Sequence, residues 1–381
     1  MQQDSHPEFP HDDAITYLNH AAVAPLPLRT GQAINAFANE NVERGSQHYL
    51  NWLQTEKLLH QQLQQLVNAP SVDDIALVKN TSEALSMVAY GIEWRDGDNI
   101  VSSNQEFPSN RIVWQSLARF GVGFREAEIA DTASPEQALF DCVDRRTKLI
   151  TISSVQFSSG IRLDINRIGE FCKKRGILFC VDAIQSLGVL QFDVQACQAD
   201  FVMADGHKWM LGPEGLGVFF TKPEARDQLQ LTQYGWHMIE QCGNYENQPW
   251  TIAKSARCFE CGSSNMLGIH AFSASLSLLL ETGIEQVEKQ ALECVEYLRD
   301  AIALHPDLEL INSSEATLLS PILVFQHKTV DNNTLYQHLQ DNGVICALRG
   351  GGIRFSPHFY HTRQQLDRGL VIAGKVTGYS S

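Results

Sequence analysis

Apolar runs of strand length alternate with amphipathic helical patterns over the central part of the chain. This alternation is typical of an α/β protein with a mainly parallel sheet. The apolar runs are nearly continuous, as expected for strands that are covered on both faces. The pattern predicts strands at 74–80, 98–104, 147–155, 177–182, 199–205 and 216–221, the last a returning strand, and helices at 81–92 and 164–176.

The pattern changes after about Gly262, where long helical repeats replace the strand–helix alternation. We therefore predict a large α/β domain at 16–262, a connecting helix at 263–283 and a smaller α+β domain at 284–381. The pattern does not decide where residues 1–15 pack, and the small domain is one option. Helices are expected at 266–283, 284–304, 331–343 and 362–376, with strands at 320–327, 344–350 and 352–360.

Charge and cysteine content narrow the functional classes. The 29 basic and 44 acidic residues give a net charge of −15, which opposes binding to nucleic acid or to an anionic membrane. No apolar run reaches the length of a transmembrane helix, and the opening MQQDSHPEFPHDD lacks the features of a signal peptide. Nine cysteines in a chain of this length fit reduced thiols, so we expect a cytoplasmic protein.

Cys258 and Cys261 form an isolated CxxC pair with no further ligand pattern nearby. A zinc site needs four ligands at suitable spacing. We therefore predict ordinary thiols here and no metal in the protein.

Polar residues follow several predicted strands, at the edge where open parallel sheets bind ligands. Thr81 and Ser82 open a helix after the first strand, and a helix N-terminus favours anions. They could also be plain helix caps. Asp182 ends an otherwise apolar strand, and Lys208, preceded by His207, follows the next one. The carboxylate and the lysine could simply form a buried ion pair.

An anion site, a buried carboxylate and a strand-end lysine together suit pyridoxal phosphate. That cofactor needs a lysine for its Schiff base, an acid near its pyridine nitrogen and a site for its phosphate. The combination therefore makes a pyridoxal-phosphate enzyme the leading hypothesis.

Several segments carry a resemblance to a known family. VDAIQSLG (181–188) and ADFVMADGHKWMLGPEGLGVFF (199–220) are specific, while YLNHAAVAPLP, NTSEAL, FECGSSN and IRFSPHFYHT are weak alone but follow in the family's order. On these segments the chain, from about Tyr17 to about Ile372, resembles the class V aminotransferase group of fold-type I pyridoxal-phosphate enzymes. That group includes cysteine desulfurases, selenocysteine lyases, kynureninases and isopenicillin N epimerase-like proteins.

The resemblance implies roles for residues at the cofactor. Lys208 looks like the Schiff-base lysine, Asp182 like the partner of the pyridinium nitrogen, and Gln185 like the residue that hydrogen-bonds the ring's phenolic oxygen. With His207, Lys208 and Asp182 form the predicted catalytic set. Thr81, Ser82 and His207 resemble phosphate ligands, and Phe107, in QEFPSN, occupies the position that stacks on the pyridine face.

Further positions concern the substrate and a second subunit. Arg354 matches the arginine that grips the substrate carboxylate, a role that suits a guanidinium fork. Asn19 and His20 lie where the family's N-terminal segment lines the substrate pocket. Ser263 matches a segment that reaches the phosphate of the neighbouring subunit's cofactor, which implies a homodimer with shared active sites.

The chain also departs from the family's pattern. Desulfurases of this group carry a nucleophilic cysteine shortly before the carboxylate-binding arginine, but this stretch is LRGGGIRFS. Cys346 lies earlier, in a strand-like segment, and is better explained as a small core residue. Phe157 stands near the position where the family often has an asparagine. Both departures argue against ordinary cysteine desulfuration.

We therefore predict a homodimeric pyridoxal-phosphate enzyme acting on a small amino acid, as an aminotransferase or a β-lyase. Lys208 is the expected general base at Cα. The alternatives are a selenocysteine lyase or cysteine desulfurase, a kynureninase-type hydrolase favoured by EFPSN, an epimerase, and a binding protein that keeps the fold without turnover.

Overall fold

The structure is a computed structural model that describes residues 6–12, 14–130, 132–246, 249–311 and 319–376. Within these residues the strands form sheets of seven, four and two strands. In chain order the strands are β1 (Thr16–Tyr17), β2 (Ile75–Val78), β3 (Asn99–Ser103), β4 (Gly123–Ala127), β5 (Thr147–Ser153), β6 (Leu178–Asp182), β7 (Phe201–Asp205), β8 (Gly217–Thr221), β9 (Leu308–Leu310), β10 (Leu323–His327), β11 (Val344–Ile345), β12 (Ala347–Arg349) and β13 (Gly352–Phe355).

The helices surround these sheets, with short 3-10 turns at Val72–Asp74, Ser116–Phe120 and Ala256–Phe259. The helix predicted at 164–176 ends in a glycine cap, since Gly176 is left-handed and its N–H bonds back into the helix. The helices are α1 (Leu28–Arg44), α2 (Tyr49–Val67), α3 (Thr81–Gly91), α4 (Ser109–Gln115), α5 (Pro135–Asp141), α6 (Ile165–Arg175), α7 (Pro223–Arg226), α8 (Met266–Thr282), α9 (Ile284–Ala303), α10 (Asn332–Asp341) and α11 (Arg363–Gly374).

The seven-stranded sheet has the order β2-β8-β7-β6-β5-β3-β4. β8 is antiparallel to both of its neighbours and the other strands run parallel, so the predicted returning strand is confirmed. Alternate residues of β6 contribute to cores on opposite faces, with Phe179 and Val181 in one and Cys180 in the other. The predicted α/β fold with both faces covered is therefore confirmed.

The smaller sheets involve both ends of the chain. β9, β10, β12 and β13 form an antiparallel sheet, while β1 pairs in parallel with β11. The single strand predicted at 344–350 is wrong, because Cys346 separates two short strands that belong to different sheets. Phe9 stacks on Tyr360 with ring centres 3.6 Å apart, so the N-terminal segment packs against C-terminal residues.

The proposed domain boundaries at 262 and 284 stay a prediction, and residues 1–5, 13 and 377–381 lie outside the described residues. In the part of the chain that the structure covers, no helix alone has the length and hydropathy of a membrane span. Met266–Thr282 and Ile284–Ala303 meet that test only as a pair, bent by 83°.

The fold brings the polar strand ends together. β2, β6 and β7 are parallel, so their carboxyl ends lie on one edge of the sheet. A close backbone contact fixes the loops there: Gly188 has φ of 97°, and a Cβ at this position would lie 2.4 Å from the carbonyl oxygen of Trp209. Only glycine fits this approach, which seats the loop that carries Lys208.

Candidate active site

A cavity of about 300 Å³ lies at the carboxyl ends of the parallel strands. It is lined by residues from the loops that follow β2, β3, β5, β6 and β7 and by the β12–β13 hairpin. Many predicted site residues meet here, as expected for an open α/β sheet. The predicted residues that line the cavity are Thr81, Ser82, Phe107, Asp182, His207, Lys208 and Arg354.

Lys208 is buried, but its amine has no bonding partner among the described residues. Its side chain follows β7 by three residues and is only 8% exposed. Within the described parts of the chain Nζ has no hydrogen bond or ion pair, and it lies 5.6 Å from the centre of the Phe107 ring. Burial lowers the pKa of this amine to about 8, although the Asp182 charge acts in the opposite direction. A neutral, nucleophilic amine is thus accessible near neutral pH.

Asp182 is the last residue of β6 and is 2% exposed. Its Oδ1 accepts the backbone N–H of Ile184 at 3.0 Å. Burial raises the pKa of this carboxyl, and the nearby Glu106 carboxylate raises it further. A carboxyl in such a place has a strong affinity for a proton or a cationic partner.

The start of α3 supplies a site for an anion. Asn80 is the N-cap, because its side chain accepts the N–H of Glu83 at 2.9 Å. Thr81 and Ser82 are therefore the first helical residues and not caps, and their N–H groups have no acceptor within the helix. Thr81 Oγ1 accepts the N–H of Asp205 at 3.1 Å, which ties the helix start to the end of β7.

Two further groups keep unpaired polar atoms at the cavity. His207 Nδ1 lies 3.2 Å from Asp205 Oδ1, but the geometry forms no hydrogen bond and both atoms are buried. Arg354 donates from Nη1 to the carbonyl oxygen of Phe157, while its buried Nε has no partner in the described residues. Burial and the neighbouring Arg349 lower the pKa of Arg354 to about 10, so the guanidinium stays charged at neutral pH.

These residues fit pyridoxal phosphate. One cavity is lined by the Lys208 amine, the Asp182 carboxyl and the first N–H groups of α3. The buried Nε of Arg354 also has no hydrogen-bond acceptor in the described residues. The Schiff-base, ring and phosphate requirements of the cofactor are each matched by residues in place.

Gln185 does not line the cavity. Its Nε2 donates to the carbonyl oxygen of Ala21 at 3.0 Å and its Oε1 accepts the indole N–H of Trp209 at 2.7 Å. In this structure the amide anchors the loop beyond Lys208. Its predicted hydrogen bond to a cofactor oxygen stays a prediction.

The N-terminal candidates lie outside the cavity as well. His20 is wholly buried, with Nδ1 donating to Ser356 O at 3.0 Å and Nε2 accepting from Tyr360 Oη at 2.7 Å. The structure does not support direct substrate contact by His20, because both ring nitrogens are used inside the protein. Asn19 forms a β-bridge to Ser356, and the cavity is lined next to it by Ala21 and Ala22.

Ser263 lies on an exposed stretch and lines a different surface depression, together with Cys261 and Asn265. Its predicted contact with a neighbouring subunit's cofactor stays a prediction. Cys258 is buried and Cys261 partly so. Glu56, His237 and Glu260 bring possible metal-binding atoms within 4.8 Å of one another, but none of them lines the cavity.

Sequence reasoning missed other cavity residues. Phe157 meets Phe107 edge to face at 5.1 Å, and Arg349 reaches the cavity from β12. Arg349 could have been found from its place in the LRGGGIR hairpin, where Gly350 and Gly351 adopt positive φ and turn the chain toward Arg354. The sequence marks Phe157 only as a departure from the asparagine that the family often has near this position, and not as a cavity residue.

The fold and the cavity define an α/β protein with a buried lysine at the carboxyl edge of its parallel sheet. Residues 16–368 match the family model described as "Aminotransferase class-V", and the chain belongs to that family. It is therefore a pyridoxal-phosphate-dependent enzyme.

Curated relatives span nearly the whole chain. It is 28% identical over 373 residues to a probable cysteine desulfurase of Methanothermobacter thermautotrophicus, covering 92% of each protein. It is 30% identical over 304 residues to a probable cysteine desulfurase of Pyrococcus abyssi, covering 78% of this chain and 75% of that one. An uncharacterized aminotransferase of Bacillus subtilis is 25% identical, over 97% of this chain and 96% of the relative.

Solved structures share the fold. A C-DES mutant with glycine covalently linked to the PLP cofactor has a TM-score of 0.90 at 22% identity, covering 97% of this chain and 99% of that one. The cysteine desulfurase CsdA of Escherichia coli has a TM-score of 0.84 at 23% identity, covering 96% and 95%. The predicted fold-type I architecture is confirmed by these likenesses.

Proposed function

We propose that this protein is a pyridoxal-phosphate-dependent carbon–sulfur lyase acting on a small sulfur-containing α-amino acid. The names of the relatives, cysteine desulfurases, favour a sulfur substrate. The observation that carries the proposal is that, among the residues the structure describes, no cysteine lines the Lys208 cavity. Sulfur is then expected to leave on a small molecule and not on an enzyme thiol.

Cys346 is the cysteine nearest in sequence to Arg354, and it is a poor nucleophile. It is 2% exposed, and burial raises the pKa of its thiol to about 12. A thiol needs a depressed pKa and access to react. A related precedent in the same fold is C-DES, a cystine C-S lyase whose reaction product is cysteine persulfide, at TM-score 0.88 and 22% identity.

In this proposal each cavity residue has one task. Thr81, Ser82 and His207 hold the phosphate, and Asp182 holds the proton of the ring nitrogen. Arg354 binds the substrate carboxylate through donors not used by the Phe157 carbonyl. Pyridoxal phosphate, when bound, supplies an electron sink for the charge that develops at Cα.

In this proposal Lys208 moves the proton. Its amine takes the proton from Cα as a general base, and the electrons left behind expel the β-sulfur with the electrons of the Cβ–S bond. The sulfur departs as a thiol or persulfide after gaining a proton. Hydrolysis of the remaining three carbons gives pyruvate and ammonia, so atoms and charge balance with one added water.

We further propose a homodimer in the cytoplasm. Large apolar side chains remain exposed within 234–250, and such surfaces mark interfaces. Nine free cysteines suit a reducing compartment. Light scattering of the holoenzyme should give twice the chain mass; a monomer at all concentrations would refute the dimer. The exposed residues are Tyr234, Trp236, Tyr245 and Trp250.

The deciding experiment incubates the holoenzyme with L-cystine, L-cysteine and other β-substituted amino acids. A lyase releases pyruvate and ammonia in equal amounts together with sulfide or persulfide. Cys346→Ala should retain this activity, and Lys208→Ala should lose it. Alanine as the main product, or loss of activity in Cys346→Ala with the fold intact, would contradict the proposal.

A second candidate is hydrolysis of an aryl-containing amino acid of the kynurenine type. The edge-to-face pair of Phe107 and Phe157 at the cavity favours it, because such rings can pack on a planar substrate. Kynurenine incubated with the holoenzyme would then yield anthranilate. If no anthranilate forms while cystine yields pyruvate, the hydrolase hypothesis is rejected and the lyase hypothesis is supported.

A further inference from the structure

Glu106 is a buried carboxylate between the two aromatic loops of the cavity. It lies one residue before Phe107, is 5% exposed and does not itself line the cavity. A buried carboxylate needs compensation, and here the compensation is complete. Oε1 accepts Ser103 Oγ at 3.0 Å, Ser153 N at 2.9 Å and Gln156 Nε2 at 2.8 Å, while Oε2 accepts Asn110 Nδ2 at 2.9 Å and Ser153 Oγ at 2.5 Å.

These five bonds join two segments, 103–110 and 153–156, that lie far apart in the sequence. Ser103 and Asn110 lie on either side of Phe107, whereas Ser153 and Gln156 precede Phe157. Glu106 thus connects the segment that carries Phe107 to the segment that carries Phe157. The rings meet edge to face at 5.1 Å.

The placement of the Phe107 ring depends on the hydrogen bonds of Glu106, because the ring has few other contacts. The side chain is 41% exposed. Its carbonyl oxygen accepts the N–H of Asn110 at 2.9 Å, and Asn110 is itself fixed, since its Oδ1 accepts Trp114 Nε1 at 2.9 Å and Thr151 Oγ1 at 2.7 Å. The Asn110 amide therefore cannot turn over without losing both bonds.

Glu106 also adjoins the other functional groups. Ser153, which donates twice to Glu106, pairs with Asp182 across β5 and β6. Phe157, which follows Gln156, offers its carbonyl oxygen to Arg354. One carboxylate therefore fixes the backbone beside the ring-stacking residue, the ring-nitrogen partner and the substrate arginine.

We propose that Glu106 is a positioning residue that sets the placement of Phe107 and Phe157 against the bound pyridoxal ring. The inference rests on the cofactor site of the proposed function. Only a carboxylate accepts from all five donors, because the amide of glutamine would place an N–H₂ group against at least two of them. Loss of that match is expected to loosen both loops.

The test is a double-mutant cycle on cofactor binding, which needs no catalytic turnover. Pyridoxal-phosphate affinity and the visible circular dichroism of the bound cofactor are measured for wild type, Glu106→Gln, Phe107→Ala and the double variant. We expect roughly tenfold weaker binding and a smaller dichroic signal in Glu106→Gln. The double variant should resemble Phe107→Ala alone, because the two residues act together.

Glu136→Gln is the matched control, since Glu136 is also buried and accepts a backbone N–H, from Asp164 at 2.9 Å. It should leave both readouts unchanged. If Glu106→Gln fails to fold by thermal unfolding of the apo protein, Gln156→Met removes one of the five bonds and should shift the dichroic signal in the same direction.

Unchanged affinity and dichroism in folded Glu106→Gln, or effects that simply add in the double variant, would overturn the inference. A different result would show that the proposed cofactor site is wrong. In that case Lys208→Ala would keep the wild-type cofactor spectrum, whatever Glu106→Gln does.

Discussion

The Nζ atom of Lys208 lies 5.6 Å from the centre of the Phe107 ring, across a cavity that also holds Asp182 and Arg354. This separation is within the range of a cation–π contact, so the ammonium form of the amine has an aromatic neighbour, while the residues that the structure describes give it no hydrogen-bond acceptor. The amine is consequently buried without being bound, which is the state a reacting lysine requires.

Lys208→Ala should abolish the long-wavelength absorbance of the bound cofactor and lower kcat by about a hundredfold or more, because both the covalent anchor and the base are lost. Absorbance spectra and steady-state rates check this. Lys222→Ala is the control, since that side chain is 44% exposed and pairs only loosely with Asp200, at 3.9 Å. A Lys208→Ala protein with a normal spectrum would refute the assignment.

The rate at which the apo protein takes up pyridoxal phosphate should depend on pH through Lys208. Burial lowers the pKa of its amine from 10.5 to about 8, so the neutral, reactive form accumulates as pH rises. We expect the stopped-flow rate to climb from about pH 6 and level off above about pH 8. An ordinary lysine would keep the rate rising toward pH 10.5.

Asp182→Asn tests the electrostatic coupling between Asp182 and Lys208, which acts on the pKa of the amine in the direction opposite to burial. The Asp182 charge raises the pKa of Lys208, so its removal should move the plateau to lower pH. A plateau that stays in place, or moves upward, would show that the two groups are not coupled in this way.

Arg354→Gln should weaken substrate binding by roughly tenfold to a hundredfold, because a charged donor to the carboxylate is lost. The effect should appear in KM more than in the cofactor spectrum. Arg299→Gln, a change at an exposed arginine of α9, should leave KM as it is. A raised KM for both variants, or for neither, would contradict the role of Arg354.

Substitutions at Thr81 and Ser82 should affect different quantities, the stability of the apo protein for Thr81 and the cofactor affinity for Ser82. Thr81→Val removes the acceptor of the Asp205 N–H and should lower the free energy of unfolding of the apo protein by about 1–3 kcal/mol. Ser82→Ala should weaken cofactor affinity with little change in apo stability. Ser86→Ala, one turn further along α3, serves as control for both. Calorimetry and cofactor titration measure the two quantities.

The sequence predicted the parts of the fold that are buried on both faces. β6 and β7 are continuous apolar runs, and each ends at a polar residue of the site. β4 was not predicted, because it is an edge strand with the polar sequence GFREA and a mostly exposed surface. An edge strand need not be apolar, so its pattern is weak.

Residues whose chemistry demands an explanation were the ones that the sequence placed in the cavity, although their catalytic roles stay a prediction. A lysine and a carboxylate beside apolar strands are costly, and both line the cavity. Gln185 and His20 do not line the cavity, because their side chains pair inside the protein, and their predicted roles stay untested. Glu106 escaped notice because its significance lies in five partners gathered from distant positions, and local sequence carries no record of them.

The pairing of β1 with β11 has a consequence for biosynthesis. Tyr17 leaves the ribosome well before its partner Ile345, which emerges roughly tens of seconds later at typical elongation rates. Until then His20 has no Ser356 to bond and cannot settle beside Trp209. A nascent chain can thus assemble its central sheet while the support beside Trp209, next to Lys208, is still missing, and that support forms only once Ser356 has been made.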